Sequence, residues 1–590
     1  MGLTYIYYIM IKRRKTRIMK IRTRYKGLLL KSSFTLCLFF SIFSCANDLT
    51  NKEQTEGRDI KKEFNSKSFT GISSSQKEYT PHKTKTAGRY KLLKNSNNGI
   101  RFYWDVNDYN NLWVNIGGTY KWQRFNKQDT LVKDSDKITS ARFYLYKGIQ
   151  LTEERSVSYT HPIWYSHFGI NNETRQTYIP TNLVQEKAGD FTDLASKGDC
   201  GFATAEDNGI WYSFTLQHAI SYLTFMPYAG EGKSKEALKK CKLTKITFTS
   251  DEYSHGHFYF DDNGILDESK RPIGQRQTRY LTCGDGHQDN GFKMASNQEE
   301  AKSLGALMVM APGTYHNIEV TYTLYDPIVG TTGVFKKKIA EITLRPGKNK
   351  VMYSQLVADD VSHLFGKYHM WGASQFYWQG HESNAHHKWR KGGVPGLAGF
   401  PTSGDPRYYS NYYSPGASNT APVGSIASTV PSANFLSWYV KLGDPRWDDS
   451  PFTYDGHLFT GRMWFRRRQY FGLTDAQMNE RNAQGDDCRI RQDASVGNNA
   501  TSWEDVPESN RSKYFCIMAL GYYDSGGQLH MGDAYEGRYW TSTCVTNRPG
   551  EGPYWAYYLL IRRNLVGVYG GLRNTEAVKL YGYQLWPGEN

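Results

Sequence analysis

His381-Glu382 followed by His386-His387 is a dense group of metal-ligating side chains. Zinc proteases use H-E-x-x-H on a helix, which sets both imidazoles on one face a turn apart. Here the spacing is H-E-x-x-x-H, in a Gly- and Ser-rich stretch that reads as a solvated loop. His255-Gly-His257 would present two imidazoles on one side of a strand, but no third ligand for a zinc ion is evident. His218 reads as a core or strand-end histidine. Arg462 with Arg466-Arg467-Arg468 makes a basic cluster flanked by Trp464 and Phe465, suited to an acidic glycan or partner, or else a solvated edge. Exposed Tyr and Trp rings would stack on sugar faces. Trp464, Arg466, Arg467 and Trp540 form the candidate ligand surface. No catalytic triad, acid pair or metal cluster stands out, so the expectation is a protein that is not an enzyme and carries no cofactor or metal.

The elements that position these residues sit behind an export signal. Phe34 to Cys45, FTLCLFFSIFSC, is a short apolar run behind a Lys/Arg-rich block, the pattern of a secretory signal. It has about half the roughly 20 residues that span a bilayer. Met19-Lys20-Ile21-Arg22 is a more natural signal start than Met1. Residues 1–44 hold ten Lys or Arg and no acid, so without them the net charge of +16 falls to +6 on 546 residues. That removes the main electrostatic argument for nucleic-acid binding. Mean hydropathy is −0.65, and with 44 Tyr and 15 Trp the composition is that of a soluble, β-prone, aromatic-rich protein. Beyond Cys37 and Cys45, six cysteines remain: Cys200, Cys241, Cys283, Cys488, Cys516 and Cys544. Six allow 15 pairings, and buried free thiols with one bridge is the plain reading. No Cys-x-x-Cys occurs, which argues against a zinc ribbon or redox motif.

Residues 45–98 are polar and read as a tether with one weak strand. Period-two alternation then begins. Phe102, Trp104 and Val106 share a face, as do Ala141, Phe143 and Leu145; Ile210, Tyr212, Phe214 and Leu216; and Ile318, Val320, Tyr322 and Leu324. Such alternation means half-buried strands. A capping box at Ser296 and Glu299 predicts a helix near 296–303. Residues 99–358 therefore read as an antiparallel β-sandwich. Residues 359–432, rich in Gly, Ser, Pro, Asn, His and Tyr, are a loop-rich connection or the start of the next domain. In 433–590, Phe435 to Val440 is a short helix or strand, and Thr474-Asp-Ala-Gln477 caps a helix through Asn482. Short strands follow around Phe515–Leu520, Tyr539–Thr543 and Tyr557–Ile561.

Three motifs resemble known families. Ile-Phe-Ser44-Cys45 resembles a bacterial lipobox, which implies acylation of Cys45 and cleavage before it. Arg101-Phe-Tyr-Trp-Asp-Val-Asn-Asp108, Phe214-Thr-Leu-Gln-His218-Ala219-Ile-Ser-Tyr-Leu223-Thr-Phe225 and Ile342-Thr-Leu344-Arg-Pro-Gly347-Lys-Asn349 resemble, in order, segments of fimbrillin-like (FimA- and Mfa-type) surface lipoproteins. This implies a fimbrillin- or transthyretin-like sandwich over 99–358. Further on, Phe515-Cys-Ile-Met-Ala-Leu520-Gly521-Tyr-Tyr523, Ser525-Gly526-Gly527-Gln-Leu529, Gly537-Arg-Tyr539-Trp540-Thr-Ser542-Thr543 and Tyr581-Gly582-Tyr583 resemble the major paralogous domain of such bacteria. That implies an α+β, C-type-lectin-like fold for 433–590. The ending departs from that family, with Gln584-Leu-Trp586-Pro where an Arg-containing strand is usual. Formylglycine-generating enzymes share the lectin-like fold, but their reactive cysteines lie close together, whereas 28 positions separate Cys516 from Cys544. The calcium signatures Glu-Pro-Asn and Trp-Asn-Asp of true C-type lectins are lacking, and Trp447-Asp448-Asp449 is a poor substitute.

The resemblances imply an outer-membrane, surface-exposed lipoprotein that acts as a tip or accessory fimbrial subunit and adhesin. It would join other fimbrillin-like subunits by strand exchange and bind a surface protein or glycan. Arg89 is the candidate site for an Arg-specific protease that removes the N-terminal segment before polymerisation. The alternative is a surface glycan-binding lipoprotein that does not polymerise.

Overall fold

The second of the two units into which the chain divides is Phe64–Asn590. The computed structural model describes residues 68–72, 87–90, 100–117, 122–134, 137–146, 160–171, 174–208, 211–364, 367–382, 399–409, 419–491, 493–530, 536–544, 555–570 and 578–589, all in the second unit. The signal segment, Cys45, His386 and His387 lie outside them. The described chain is mainly β.

The first half of the sandwich is a nine-stranded sheet. It curls around an aromatic core in which Phe125, Phe143 and Tyr212 converge on Phe69. The alternating sets Ala141/Phe143/Leu145 and Tyr212/Phe214/Leu216 are all buried, as period two requires. Val106 is not: the strand Ile100–Tyr103 ends first, and Val106 is 63% exposed. Asp105 and Asp108 turn the chain there, the Asp105 N–H donating to Asp108 Oδ2 at 2.6 Å.

In the second half, a sheet carrying Lys242–Ser250, Gln277–Cys283, Gly313–Asp326 and Thr331–Leu344 faces a three-stranded sheet of Ala306–Met310, Ser221–Ala229 and Asn349–Leu356. Ile318, Val320, Tyr322 and Leu324 from one sheet and Leu223, Phe225 and Met308 from the other share one core. Most pairings are antiparallel. The expected antiparallel scheme is modified by three parallel ones: Phe69–Ile72 with Tyr212–Phe214, Asn182–Gln185 with Gln277–Cys283, and Ser221–Ala229 with Asn349–Leu356. Parallel neighbours need long crossovers, which local alternation does not reveal.

The helix expected at 296–303 is the single turn Gln298–Ala301, one residue out of the predicted register. Asn297, not Ser296, caps it by accepting from the Glu300 N–H, and Glu300 in turn accepts from Ser296. Both Asn and Ser suit an N-cap, so the motif alone left the frame open.

The C-terminal half is α+β. A six-stranded sheet includes Gly537–Cys544, Ala556–Arg562 and Leu565–Tyr569, and a four-stranded sheet runs Thr501–Ser502, Arg446–Asp448, Arg462–Arg466, Tyr514–Met518. Helix Ala433–Leu442 packs its buried Leu436, Tyr439 and Val440 against both. Thr474 and Gln477 form the expected capping box, and that helix ends at Glu480, short of Asn482. Tyr368, Met370, Trp371, Tyr377 and Trp378 from the loop-rich stretch pack in one core with Trp540, Tyr558 and Tyr583.

The two halves meet through a built joint. Asp326, at the end of a sandwich strand, accepts from the Leu458 N–H at 3.1 Å and lies 3.1 Å from His457 Nδ1. Thr331 donates to the Leu458 carbonyl, and Leu458 itself lies in the sandwich core.

Candidate ligand-binding surface

Arg462, Trp464 and Arg466 occupy alternate positions of the strand Arg462–Arg466, and Met463 and Phe465 between them are buried in the core. Alternation therefore turns the first three away from that core, Trp464 and Arg466 half-buried and Arg462 buried against other groups. Register extends this face. Arg446 stands opposite Trp464, Asp448 opposite Arg462, and on the other side Cys516 opposite Trp464 and Tyr514 opposite Arg466.

Aromatic rings organise the face. Trp464 stacks on Trp503 with centroids 4.1 Å apart and planes 6° from parallel. Tyr514 meets Trp503 edge-on at 5.5 Å, and the Arg511 guanidinium lies 5.2 Å from the Trp503 ring. Such pairs contribute about 0.5–1.5 kcal/mol each beyond their buried area. The Trp464 indole N–H donates to Asp448 Oδ2 at 3.0 Å, which fixes the ring's rotation.

Two concavities flank the stack. One, of about 230 Å³, is lined by Asp444, Arg446, Arg466, Lys513 and Tyr514 among others. There Asp444 bonds Arg446 at 3.0 Å and accepts from the Tyr514 hydroxyl at 2.5 Å. Burial and that carboxylate both push the Tyr514 phenol up, so it stays protonated and donates. The other, of about 620 Å³, lies between the sandwich strand Thr331–Leu344 and this sheet. Four of its charged residues pair within it: Arg462 with Asp359 at 2.8 Å, and Lys336 with Glu504.

The remaining expected residues are distributed differently. Arg467 donates to the Glu589 carbonyl, and Arg468 bonds Asp475 and the Glu589 carboxylate, so these two fasten the C-terminal segment instead of joining Arg466. Trp540 is a correction. It is fully buried, stacked on Tyr583 at 4.1 Å with its indole N–H on the His369 carbonyl, and no ligand can lie against it. Its strand faces the core on both sides, so most of its residues are buried. Arg89, on the strand Ala87–Tyr90, has a strand on either side: Asp190 opposite on one, Arg101 on the other.

The histidines scatter. His218 is buried, with Nδ1 2.6 Å from Asp199, whose same oxygen accepts from the Tyr222 hydroxyl. This resembles a relay, but all three are sealed in the sandwich core. The strand carrying His257 starts at Gly256, whose φ of +105° breaks the alternation with His255. His257 packs on Tyr178, and His255 lies against Tyr253. Among the described residues no three His, Cys, Asp or Glu side chains converge as a metal site. The six cysteines from Cys200 to Cys544 are all free thiols. Burial, opposed by Arg462, pushes the Cys516 thiol up to about 11, which makes it a poor nucleophile at neutral pH.

Reading the basic cluster as a run missed Arg446, Trp503, Tyr514 and Lys513, which come from three other segments. The available signal was the alternation Arg462/Trp464/Arg466 against Met463/Phe465.

No family model matches the chain, and no curated protein does. Among solved structures, a Bacteroides ovatus protein provisionally designated for cell adhesion is similar at 12% identity, over 47% of this chain and 92% of that one, with a TM-score of 0.29. Proteins with the same provisional designation from Bacteroides fragilis (11% identity, 48% and 91% coverage, TM-score 0.24) and Bacteroides uniformis (11%, 46% and 83%, 0.23) are similar to the same extent.

Proposed function

We propose that the chain is a surface adhesin, exported, lipidated at Cys45 and held at the outer membrane, and coupled to fimbrillin-like subunits by strand exchange. The observation that carries this is the strand Phe69–Ile72. It is four residues long and comes from the polar segment read as a tether, yet it lies in the middle of the nine-stranded sheet. It pairs antiparallel with Lys137–Tyr144 and parallel with Tyr212–Phe214. Phe69 is fully buried among Phe125, Phe143 and Tyr212. At Gly71 an added Cβ would sit 2.9 Å from Trp104 and 3.0 Å from both Phe143 and Phe214. A short segment that fills a slot in an otherwise complete sheet is what a partner's strand would replace, with main-chain hydrogen bonds for affinity and side-chain pockets for register. The Bacteroides designations agree with this role, but the reading rests on the slot.

Removal of residues up to Arg89 tests it. The shortened chain should bind a peptide spanning residues 66–74 in the vacated slot and should enter filaments when mixed with fimbrillin-like subunits. Failure of both would sink strand exchange. One observation favours the non-polymerising alternative: Arg89 is paired on both sides in the sheet, so a protease reaches it only after that strand opens. N-terminal sequencing of protein sheared from cells decides. A start after Arg89 supports assembly, and a start at Cys45 alone supports an anchored, stand-alone glycan binder. Two acyl chains suffice for stable anchoring, and among the described residues no helix is long and apolar enough to cross a membrane.

A further inference from the structure

The smaller concavity on the four-stranded sheet has the make-up of an anion site. Arg446, Arg466 and Lys513 line it together with Asp444, Asp505, Val506, Pro507, Asn510 and Tyr514. Three cations face two carboxylates. Asp444 is already engaged by Arg446 and by the Tyr514 hydroxyl, and Asp505 is exposed to solvent. Each cation is oriented by one contact. Arg446 uses its Nη2 on Asp444, Arg466 its Nη2 on the Leu442 carbonyl at 2.8 Å, and Lys513 its Nζ on Asn510 at 3.0 Å. The Nε of Arg446 and the Nε of Arg466 are buried and have no protein acceptor. The Nε of Arg462 is in the same state, and such closed-off atoms are beyond a ligand's reach; what an acceptor from outside can meet is the Nη1 of Arg446 and of Arg466, since each guanidinium is held by the protein through Nη2. Guanidinium groups held in this way suit carboxylate or sulfate oxygens, which they meet in bidentate fashion.

Size and surroundings narrow the ligand. A volume of about 230 Å³ is below that of a typical small-molecule site. It admits one charged group and part of a ring, so the remainder of a larger ligand must lie outside. Outside, Trp464 stands opposite Arg446 in register and stacks on Trp503, beside Val506 and Tyr514 of the lining. A cationic cup next to stacked indoles matches a charged sugar: the anion enters the cup and apolar ring faces meet the aromatics. The larger concavity does not match, because its three cations, Lys336, Lys337 and Arg462, face four carboxylates, two of which already pair with Arg462 and Lys336.

We propose that the cup formed by Arg446, Arg466 and Lys513 binds the sulfate or carboxylate group of an acidic glycan, so that the half-buried Trp464, backed by the buried Trp503, forms the edge along which the sugar continues. This assigns a ligand class within the adhesin reading above and rests on it.

The full chain is titrated calorimetrically with a sulfated oligosaccharide, a polyuronate oligosaccharide, neutral dextran and inorganic sulfate. Binding of the sulfated or the uronate oligomer, weakened as salt rises, with none to dextran, is expected, and whichever oligomer binds identifies the anion. Arg446→Ala, Arg466→Ala and Lys513→Ala should each lower affinity at least tenfold. Arg466→Lys should recover part of the loss, and Arg467→Ala, which removes a side chain held on the Glu589 carbonyl, should change nothing. Lys513→Ala keeps the test valid if an arginine variant fails to fold, since the Lys513 side chain hydrogen-bonds Asn510 alone and its backbone bond to Arg467 survives the change. Unchanged affinity in folded variants, equal binding of dextran, or binding of inorganic sulfate alone would each overturn the proposal. The two readings fail separately. If cells lacking the protein adhere normally while the purified chain binds the glycan, the adhesin role falls and the cup stands. If adhesion depends on the protein but not on the three cations, the reverse holds.

Discussion

Phe69 and Trp464 are both aromatic residues at the centre of an aromatic group, and they serve opposite ends. Around Phe69 the rings of Phe125, Phe143, Tyr212 and Trp104 close a dry slot that the chain's own strand fills. Around Trp464 the buried rings of Trp503 and Tyr514 form a small cluster on the side of the sheet away from the main core, with Trp464 half-buried over it and Arg446, Arg466 and Asp448 at its border. The contrast shows that aromatic content does not specify role. What differs is the surroundings of each ring: buried rings around Phe69, the His161 imidazole among them, and a neighbouring ring plus charged groups around Trp464. The slot should therefore govern stability and the outer face binding.

Phe69→Ala should separate the two regions most clearly. Truncating a fully buried Phe costs about 3–5 kcal/mol, visible as a lower denaturant midpoint of the full chain. A loss below about 1 kcal/mol would mean that the strand is loosely seated and the contrast is false. Gly71→Val comes next, because its side chain would overlap Trp104, Phe143 and Phe214. Overpacking of this kind costs about 1–3 kcal/mol and should also speed exchange of the strand for an added peptide. Trp464→Ala should cost less in stability, about 0.5–1.5 kcal/mol from the lost stack, while reducing glycan affinity. Equal effects of Phe69→Ala and Trp464→Ala on the midpoint would erase the distinction.

The smallest effect concerns the joint that connects the two regions. Burial raises the Asp326 carboxyl, but the His457 hydrogen bond and charge and the Leu458 and Ile328 N–H groups outweigh it and hold it below the ordinary aspartate range. A carboxyl depressed in the folded state contributes stability above its unfolded pKa, about 3.9, and loses it as pH falls through the lower folded value. Stability should thus be insensitive to this group at neutral pH and decline in strong acid, and Asp326→Asn should flatten that decline. A decline of the same steepness in the variant would remove Asp326 from the account.

Much of the fold was legible because alternation is local. Phe143, Tyr212, Val320 and Tyr322 announced buried faces by period two, and Thr474/Gln477 announced a helix start. Where a reading failed, a non-local partner or a competing cap decided. Val106 continued the pattern past the end of its strand. Ser296 lost the cap to its neighbour Asn297. Trp540 lay in a strand covered on both faces, which one sequence window does not distinguish from a half-exposed one. For the candidate site, Trp464 and Arg466 were legible from their types alone. Arg467, adjacent to Arg466, was not separable from it until the strand's end fell between them and left Arg467 to open the following turn.

By itself the sequence determined the period of the strands, the aromatic character of the chain, and the residue types able to meet a sugar or an anion, because composition, alternation and capping act within a few residues. The tertiary structure alone decided that Phe69–Ile72 leaves the polar segment to fill a sheet, that Arg446, Arg466 and Lys513 share one cup, and that Trp540 is core. Each of these depends on strand register between segments far apart in the chain, and register is set by which faces can be buried together.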